Sequence, residues 1–339
     1  GSNRVQGRER RTITDADTEF HPRDPGDRIW TETTYVAFHV PEANLLGTVY
    51  VLARPNAGVA MSSVVVARGM RRRQYEIDFC DPQIHLPCPA SYRKFDLANG
   101  LSLEARSLTD WHFQYEHKLG NCSLDLELKA LHHPFDPSDP TQTPLASKAE
   151  GGKLDPRVGD AWSNGHFDIK AHITGEVTLN GQRFAVDCYD GMDRSWGPRN
   201  ETPDRATSYI SVNMGEELGM WLTMLLKFGK DGEVIYDRIL SGFIVEHGRI
   251  TPVVHAEVEA TTVEMLATGD HIVVTDANGR KLEFYGTAIC TRPLGSFNPS
   301  IAAFISLMRY HWGDRIGYGG HGKLYGLSYL AKNLPHRGM

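Results

Sequence analysis

His166–Asn200 reads HFDIKAHITGEVTLNGQRFAVDCYDGMDRSWGPRN. Within it, ITGEVTL and QRFAVD are strand-like runs on either side of Leu179-Asn180-Gly181, and an Asn-Gly pair is suited to a tight hairpin. The central motif follows directly. Asp187 to Asn200 holds three carboxylates (Asp187, Asp190, Asp193), two guanidiniums (Arg194, Arg199) and the indole of Trp196. Gly191, Gly197 and Pro198 shape its backbone, since Gly tolerates positive φ and Pro fixes φ. Buried charges persist only when paired and hydrogen-bonded. The motif is therefore either a structural knot of Asp–Arg pairs anchored by Trp196, or a site wall of fixed charges and an aromatic face.

The same texture extends in both directions. TYVAFHV, TVYVLARPNAG, AMSSVVVARG and RRRQYEIDF read as strands, with Arg71 to Arg73 as a solvated edge. Cys80 to Tyr92 reads as a loop. Ala98-Asn99-Gly100 marks a hairpin, DWHFQYEH a strand, and Leu124, Leu126 and Leu128 share one strand face. Residues 133–160 are poor in apolar side chains and read as a surface loop or lid. Beyond the motif, strand-like runs are punctuated by KDGE, EHGR, ANGR and WGDR. Strands at this spacing without interleaved amphipathic helices define an all-β fold, two β-barrel or sandwich domains side by side. Short helices are expected only near Pro299–Leu307 and Leu327–Asn333. The expected organisation is a flexible arm over 1–28, settling near Trp30, then domains over 29–200 and 201–339, with ETPDRA as the linker.

Composition narrows the function. The 339 residues suit about two domains. A net charge of −6 argues against a nucleic-acid partner. No apolar run is long enough to span a bilayer. GSNRVQGRERR lacks the apolar core of a secretory signal. The five cysteines are scattered without a C-x-x-C, which favours free thiols and a reducing, cytoplasmic setting. Gly1-Ser2 reads as a cloning remnant. A homodimer is left open.

There is no G-x-S-x-G elbow, phosphate-binding loop or H-E-x-x-H helix. GYGGHG at 317–322 has no following helix, so it reads as a tight bend in a barrel, or as backbone that lets a ligand approach. His132-His133 beside Asp136 and Asp139 raises a metal site, but adjacent strand residues point to opposite faces and no metal is expected. What remains is a set of titratable groups, abundant aromatics and an architecture able to enclose a cavity. A buried Asp can serve as a general acid, and aromatic faces stabilise a carbocation. This suits proton-initiated chemistry on an alkene or alcohol, and it equally suits passive carriage of an apolar ligand.

ETTYVAFHVPEANLLGTVYVLARPNAG, ANGLSLEARSLTDWHFQYE and HITGEVTLNGQRFAVDCYDGMDRSWGPRN together resemble the ordered landmarks of the carotenoid hydratase-like (hydroxyneurosporene synthase) and AttH-like lipocalin superfamily. The nearest branch is bacterial, with a hallmark similar to G-x-R-D-H-S-W-G-P-R. Ser195-Trp196-Gly197-Pro198-Arg199 matches it, whereas Asp193-Arg194 stands where Arg-Asp-His is expected. The resemblance implies two lipocalin-like domains with a cavity in or between them. It also implies cofactor-free hydration, dehydration, isomerisation or cyclisation of a hydrophobic molecule (isoprenoid, steroid-like or aromatic). On this reading Asp193 or Asp190 donates the proton, Arg194 or Arg199 tunes it, and His166 is the alternative base. Trp196, Tyr189, Arg199, Trp111 and Tyr310 contact the substrate. A non-catalytic carrier is the alternative, and an interaction protein without a ligand is a third reading.

Overall fold

The computed structural model describes residues 12–143, 157, 164–200, 204–298 and 300–334, without the side chains of 294–297. The expected lid over 133–160 lies largely outside the described residues.

Two β units stand side by side. The first is a ten-stranded antiparallel sheet. Its strands are β1 (Trp30–Val40), β2 (Leu45–Arg54), β3 (Val59–Arg68), β4 (Phe79–Pro87), β5 (Lys94–Asp96), β6 (Leu101–Ser107), β7 (Asp110–Glu116), β8 (Cys122–Ala130), β9 (Gly165–Leu179) and β10 (Gln182–Pro198). β1 pairs with β10, so two meanders meet at the middle of the sheet. The second unit is a closed barrel of β11 (Ala206–Met214), β12 (Leu218–Phe228), β13 (Val234–Glu246), β14 (Arg249–Val263), β15 (Leu266–Asp276), β16 (Lys281–Asn298), β17 (Ile301–Trp312) and β18 (Arg315–Gly326). One helix, α1 (Leu327–Asn333), follows. The sheet ends at Pro198 and the barrel begins at Ala206.

Turn chemistry sets the hairpins. Asn180 and Gly181 both take positive φ (48° and 84°), as a primed hairpin turn requires. His247-Gly248 does the same between β13 and β14. Three local expectations change. Cys80 to Tyr92 is not a loop throughout: as far as Pro87 it is strand β4, paired with β3. Residues 300–307 do not form the helix expected over Pro299–Leu307: from Ile301 they are strand β17, paired along its length with β18. Tertiary pairing outweighs a weak local preference there. RRRQYEIDF is not a strand either. Gln74–Glu76 is a 3-10 turn, and the strand starts at Phe79. Pro82 and Pro87 are tolerated in β4 because it is an edge strand. Arg72 and Arg73 pair with Glu264 in the β14–β15 turn, so this basic run bridges the two units.

The inner face of the first sheet carries an apolar core that includes Trp111, fully buried. Residues 12–28 pack onto this unit. Asp15 Oδ1 accepts from the Leu108 amide at 2.7 Å, and Glu19 Oε1 accepts from the Tyr92 amide. His21 lies between Asp17 and Glu32 at 2.7 and 2.8 Å and stacks on Trp196, centroids 4.0 Å apart. Arg194 Nη2 donates to Glu32 Oε1 at 2.7 Å and to the Glu19 carbonyl at 3.1 Å. Both Arg194 and Glu32 are fully buried. This ion network fastens the leading segment to the sheet.

Inside the barrel an apolar cluster packs around a buried polar group, in which Tyr310 donates to Asp270 Oδ2 at 2.9 Å and His321 Nδ1 lies 2.8 Å from the same oxygen. Between the units, Leu46 and Ala67 of the sheet pack with Cys290, Ile305 and Leu307 of the barrel. Phe135 stacks on Phe243 with centroids 4.4 Å apart. The cysteines are free thiols.

Burial opposes ionisation of Glu32, but Arg194 and His21 outweigh it and hold its pKa down at about 2. A depressed carboxylate contributes stability that is present above its unfolded pKa, about 4.5, and is lost as pH falls through about 2. Glu32→Gln leaves Arg194 as a buried uncompensated cation and is expected to cost about 3–5 kcal/mol at neutral pH. Urea denaturation from neutral pH to pH 2 checks both: wild type loses stability across the acid window, and the variant has a flatter profile there.

Candidate active site between the two units

Strand geometry sorts the central motif. Side chains alternate faces along β10. Arg194 and Trp196 point into the first unit, as do their pairing partners Glu32, Thr34 and Phe167. Asp193 and Ser195 take the other face, which is turned toward the barrel. They share it with cross-strand partners Tyr35 and Thr33 on β1 and Asp168 and His166 on β9.

This face encloses a cavity of about 100 Å³ against the barrel. Asp193, Tyr35, His166 and Asp190 come from the sheet, and Trp221 and Ile305 are among the barrel residues that close it. GYGGHG divides by the same alternation. A Cβ on Gly317 or Gly319 would come within 2 Å of β11 carbonyl oxygens (1.9 and 1.7 Å), so these glycines allow close strand packing. Gly320 and Gly322 instead line the cavity.

Asp193 stands out electrostatically. Its carboxyl accepts no hydrogen bond among the described residues. Burial pushes its pKa up, Asp168 adds to the rise, and His166, Arg199 and Arg205 only partly offset it, so the pKa reaches about 7. A carboxyl poised near neutral pH is the form a general acid needs. His166 Nε2 lies 2.9 Å from Asp168 Oδ1. Burial works against the imidazolium, but this pairing holds the pKa of His166 above the usual histidine range. Tyr35, directly across from Asp193, has its pKa raised by burial, and its hydroxyl has no hydrogen-bond partner among the described residues.

The other polar groups are committed to one another. Asp190 Oδ2 meets His39 Nδ1 at 2.9 Å, and its Oδ1 accepts from Ser211 of the barrel at 3.2 Å. Lys170 Nζ donates to the same Ser211 hydroxyl at 2.6 Å, and burial lowers its pKa to about 8. This chain ties the two units together. Arg199 Nη2 donates to Ser195 Oγ at 2.9 Å, and Ser195 meets Thr33 at 2.6 Å.

The structure thus brings together Asp193, Asp190, His166 and Arg199. It places Arg194 and Trp196 in the first unit and Trp111 in its core. Tyr310 lies inside the barrel. Tyr189 lies on the outer face, stacked on His172 and donating to Glu216 at 3.2 Å. Sequence reasoning had passed over Tyr35, Asp168, Lys170 and Ser211. HFDIK carries a usable signal for two of them: at period two, His166, Asp168 and Lys170 fall on one face. Among the described residues no group of three metal-ligating side chains converges. His132 uses both ring nitrogens, Nδ1 with the His133 carbonyl at 2.7 Å and Nε2 accepting from the Lys170 amide at 2.8 Å. Burial lowers its pKa to about 4.

An all-β pair of lipocalin-like units with an acid–base cluster at their junction is the class that fold and site define. A crystal structure of a protein from Nitrosomonas europaea described as an AttH matches over 88% of this chain and 93% of that one, with TM-score 0.54 and 12% identity. The likeness concerns the fold alone. Kievitone hydratase from Nectria haematococca matches more loosely, over 88% and 89% of the chains, with TM-score 0.47 and 9% identity. No curated protein matches the chain by sequence. The chain belongs to the family described as Domain of unknown function (DUF7064), which matches residues 14–321.

A raised carboxyl pKa has a stability signature. Between its unfolded value near 3.8 and its folded value of about 7, native Asp193 binds more protons than the unfolded chain, so rising pH costs stability. Asp193→Asn is expected to match wild type near pH 4 and to be more stable above pH 7. Urea denaturation at the two pH values measures the difference.

Proposed function

We propose that the chain is a cofactor-independent lyase or isomerase acting on a hydrophobic small molecule, isoprenoid, steroid-like or aromatic, held between the two units. The observation that carries this reading is the Asp193 carboxyl: it faces an apolar-walled cavity, lacks a hydrogen-bond partner among the described residues, and has a pKa pushed up to about 7. The likeness of Ser195 to Arg199 to the carotenoid hydratase-like hallmark is consistent with it.

Protonated Asp193 donates its proton to an alkene carbon or a leaving hydroxyl. Trp221 and Tyr209 are among the residues lining the space where the cation would form. The Asp193 carboxylate so formed is stabilised by the neighbouring imidazolium of His166, which Asp168 holds. Proton return to Asp193 from an adjacent carbon gives isomerisation or dehydration, and capture of the cation by water, with the oxonium proton returned to Asp193, gives hydration. The direction depends on the substrate.

Small molecules extracted from the purified protein and identified by mass spectrometry supply the assay substrate. Asp193→Asn is expected to lower turnover by about 10²–10⁴-fold, the range for loss of a general acid. Full activity in that variant would sink the assignment. A ligand that is retained and never converted would favour the carrier reading.

A further inference from the structure

The cavity at Asp193 is small for the molecule that would react in it. Its volume is about 100 Å³. An ordinary small-molecule site has roughly 300–1,000 Å³, and an apolar cavity of about 150 Å³ accepts a benzene ring. Only the reacting end of an isoprenoid or steroid-like skeleton fits, so the remainder needs a second space.

A larger groove, about 410 Å³, adjoins the cavity on the outer face of the first sheet. Three segments run from one to the other. Along β2, Leu46 and Tyr50 line the cavity, and Leu52 and Arg54 line the groove. After β10, Arg199 lines the cavity and Asn200 the groove. On the barrel side, Ile305 gives way to Ser300. Tyr50, Leu52 and Met61 form one buried apolar strip with Tyr35 packed against it. Tyr35 is the cross-strand partner of both Asp193 and Tyr50, so the strip begins beside the acid and ends in the groove.

A β-bulge shapes the groove's outer wall. Ala60 pairs with Leu86 and Ser62 with Gln83, so Met61 faces two residues of β4, and both Ile84 and His85 line the groove. Strict alternation would have turned one of them away. The far end is marked by Arg54. It is partly exposed, its Nη2 donates to the Arg199 carbonyl at 3.2 Å, and no carboxylate pairs with it among the described residues. No acidic side chain lines the groove, although the chain carries a net charge of −6.

We propose that the groove is the outer half of the site, and that the substrate is an elongated amphiphile with an acidic group at the end remote from the reacting carbon. The apolar end lies at Asp193, the chain runs along Tyr50, Leu52 and Met61, and the anion meets Arg54. Arg54 is four residues beyond Tyr50 on β2, which sets the span at about 13 Å. The inference rests on the junction cavity being the ligand site, but its test reads binding and not turnover.

Isothermal titration calorimetry on the full chain compares 10-undecenoate and 10-undecenyl phosphate with 10-undecen-1-ol, three probes with one terminal alkene and one chain length. Wild type is expected to bind at least one acid about threefold or more tighter than the alcohol, and the better acid names the group. Arg54→Met is expected to abolish the preference, while Lys118→Gln, which removes an exposed charge outside the groove, keeps it. Ile84 is 49% exposed, so Ile84→Glu and Ile84→Lys change the groove's charge without disturbing the core. They are expected to weaken and strengthen acid binding, respectively, and to leave the alcohol unchanged. Neither acid preferred in wild type, or a preference that survives Arg54→Met, overturns the proposal. Gly320→Ile fills the inner cavity at a position where an added Cβ meets nothing closer than 3.8 Å. If it weakens binding while the Arg54 and Ile84 variants change nothing, the cavity stands as the ligand site and the groove falls. If those variants act and Gly320→Ile does not, the probes sit in the groove alone and a substrate spanning both spaces is overturned. Loss of binding in both sets supports the joined site.

Discussion

Everything in this structure hangs on the two-residue period of β10 against β1 and β9. The register sends Arg194 and Trp196 to one face and Asp193 and Ser195 to the other. A slip of one residue would exchange the faces, leaving Arg194 without Glu32 and Asp193 in an apolar core. The Glu32–Arg194 pair is therefore more than a local contact. By fixing which face of β10 is inside, it fixes which side chains look across at the barrel. One short motif thus supplies both the clamp that holds the leading segment and the acid that faces the cavity.

The barrel contributes differently. Its interior carries an apolar cluster, and its glycine-rich last strand lies close against β11. The cavity described above lies at the outer faces of both units, where sheet and barrel meet. Domain junctions commonly hold ligand sites. Ser211 bridges Asp190 and Lys170 across the junction, so the relative position of the two units and the charge state of the site are coupled. Movement of the barrel would break that bridge and take from the buried Lys170 ammonium its hydroxyl partner, while Asp190 keeps His39.

The fold was largely legible because its signals are local. Asn180-Gly181 and His247-Gly248 take the positive φ that their sequences advertise, and strand alternation carries most of the rest. What failed was also local: β17 was mistaken for a helix because its apolar run has no alternation to distinguish the two, and only pairing with β18 decides it. The site was legible by residue type but not by direction. Asp193, Asp190, His166 and Arg199 face the cavity, whereas Arg194, Trp196, Trp111, Tyr310 and Tyr189 point elsewhere. Composition marks a motif as charged and aromatic, but the face each side chain takes depends on register with strands more than a hundred residues away. Tyr35 comes from ordinary strand sequence and cannot be singled out until its register with Asp193 is known.

The charges at the junction form a pattern once the committed pairs are set aside. Asp190, Asp168 and Lys170 satisfy one another's neighbourhoods, and Arg194 is answered by Glu32 on the far face. Among the described residues the Asp193 carboxyl is left without a hydrogen-bond partner, and burial, with Asp168 beside it, pushes its pKa up to about 7. A guanidinium bonded to it would make it an ordinary ionised carboxylate, unable to donate a proton at neutral pH. Arg194, on the opposite strand face of the same motif, is spent on Glu32 instead, and that division keeps Asp193 near neutrality.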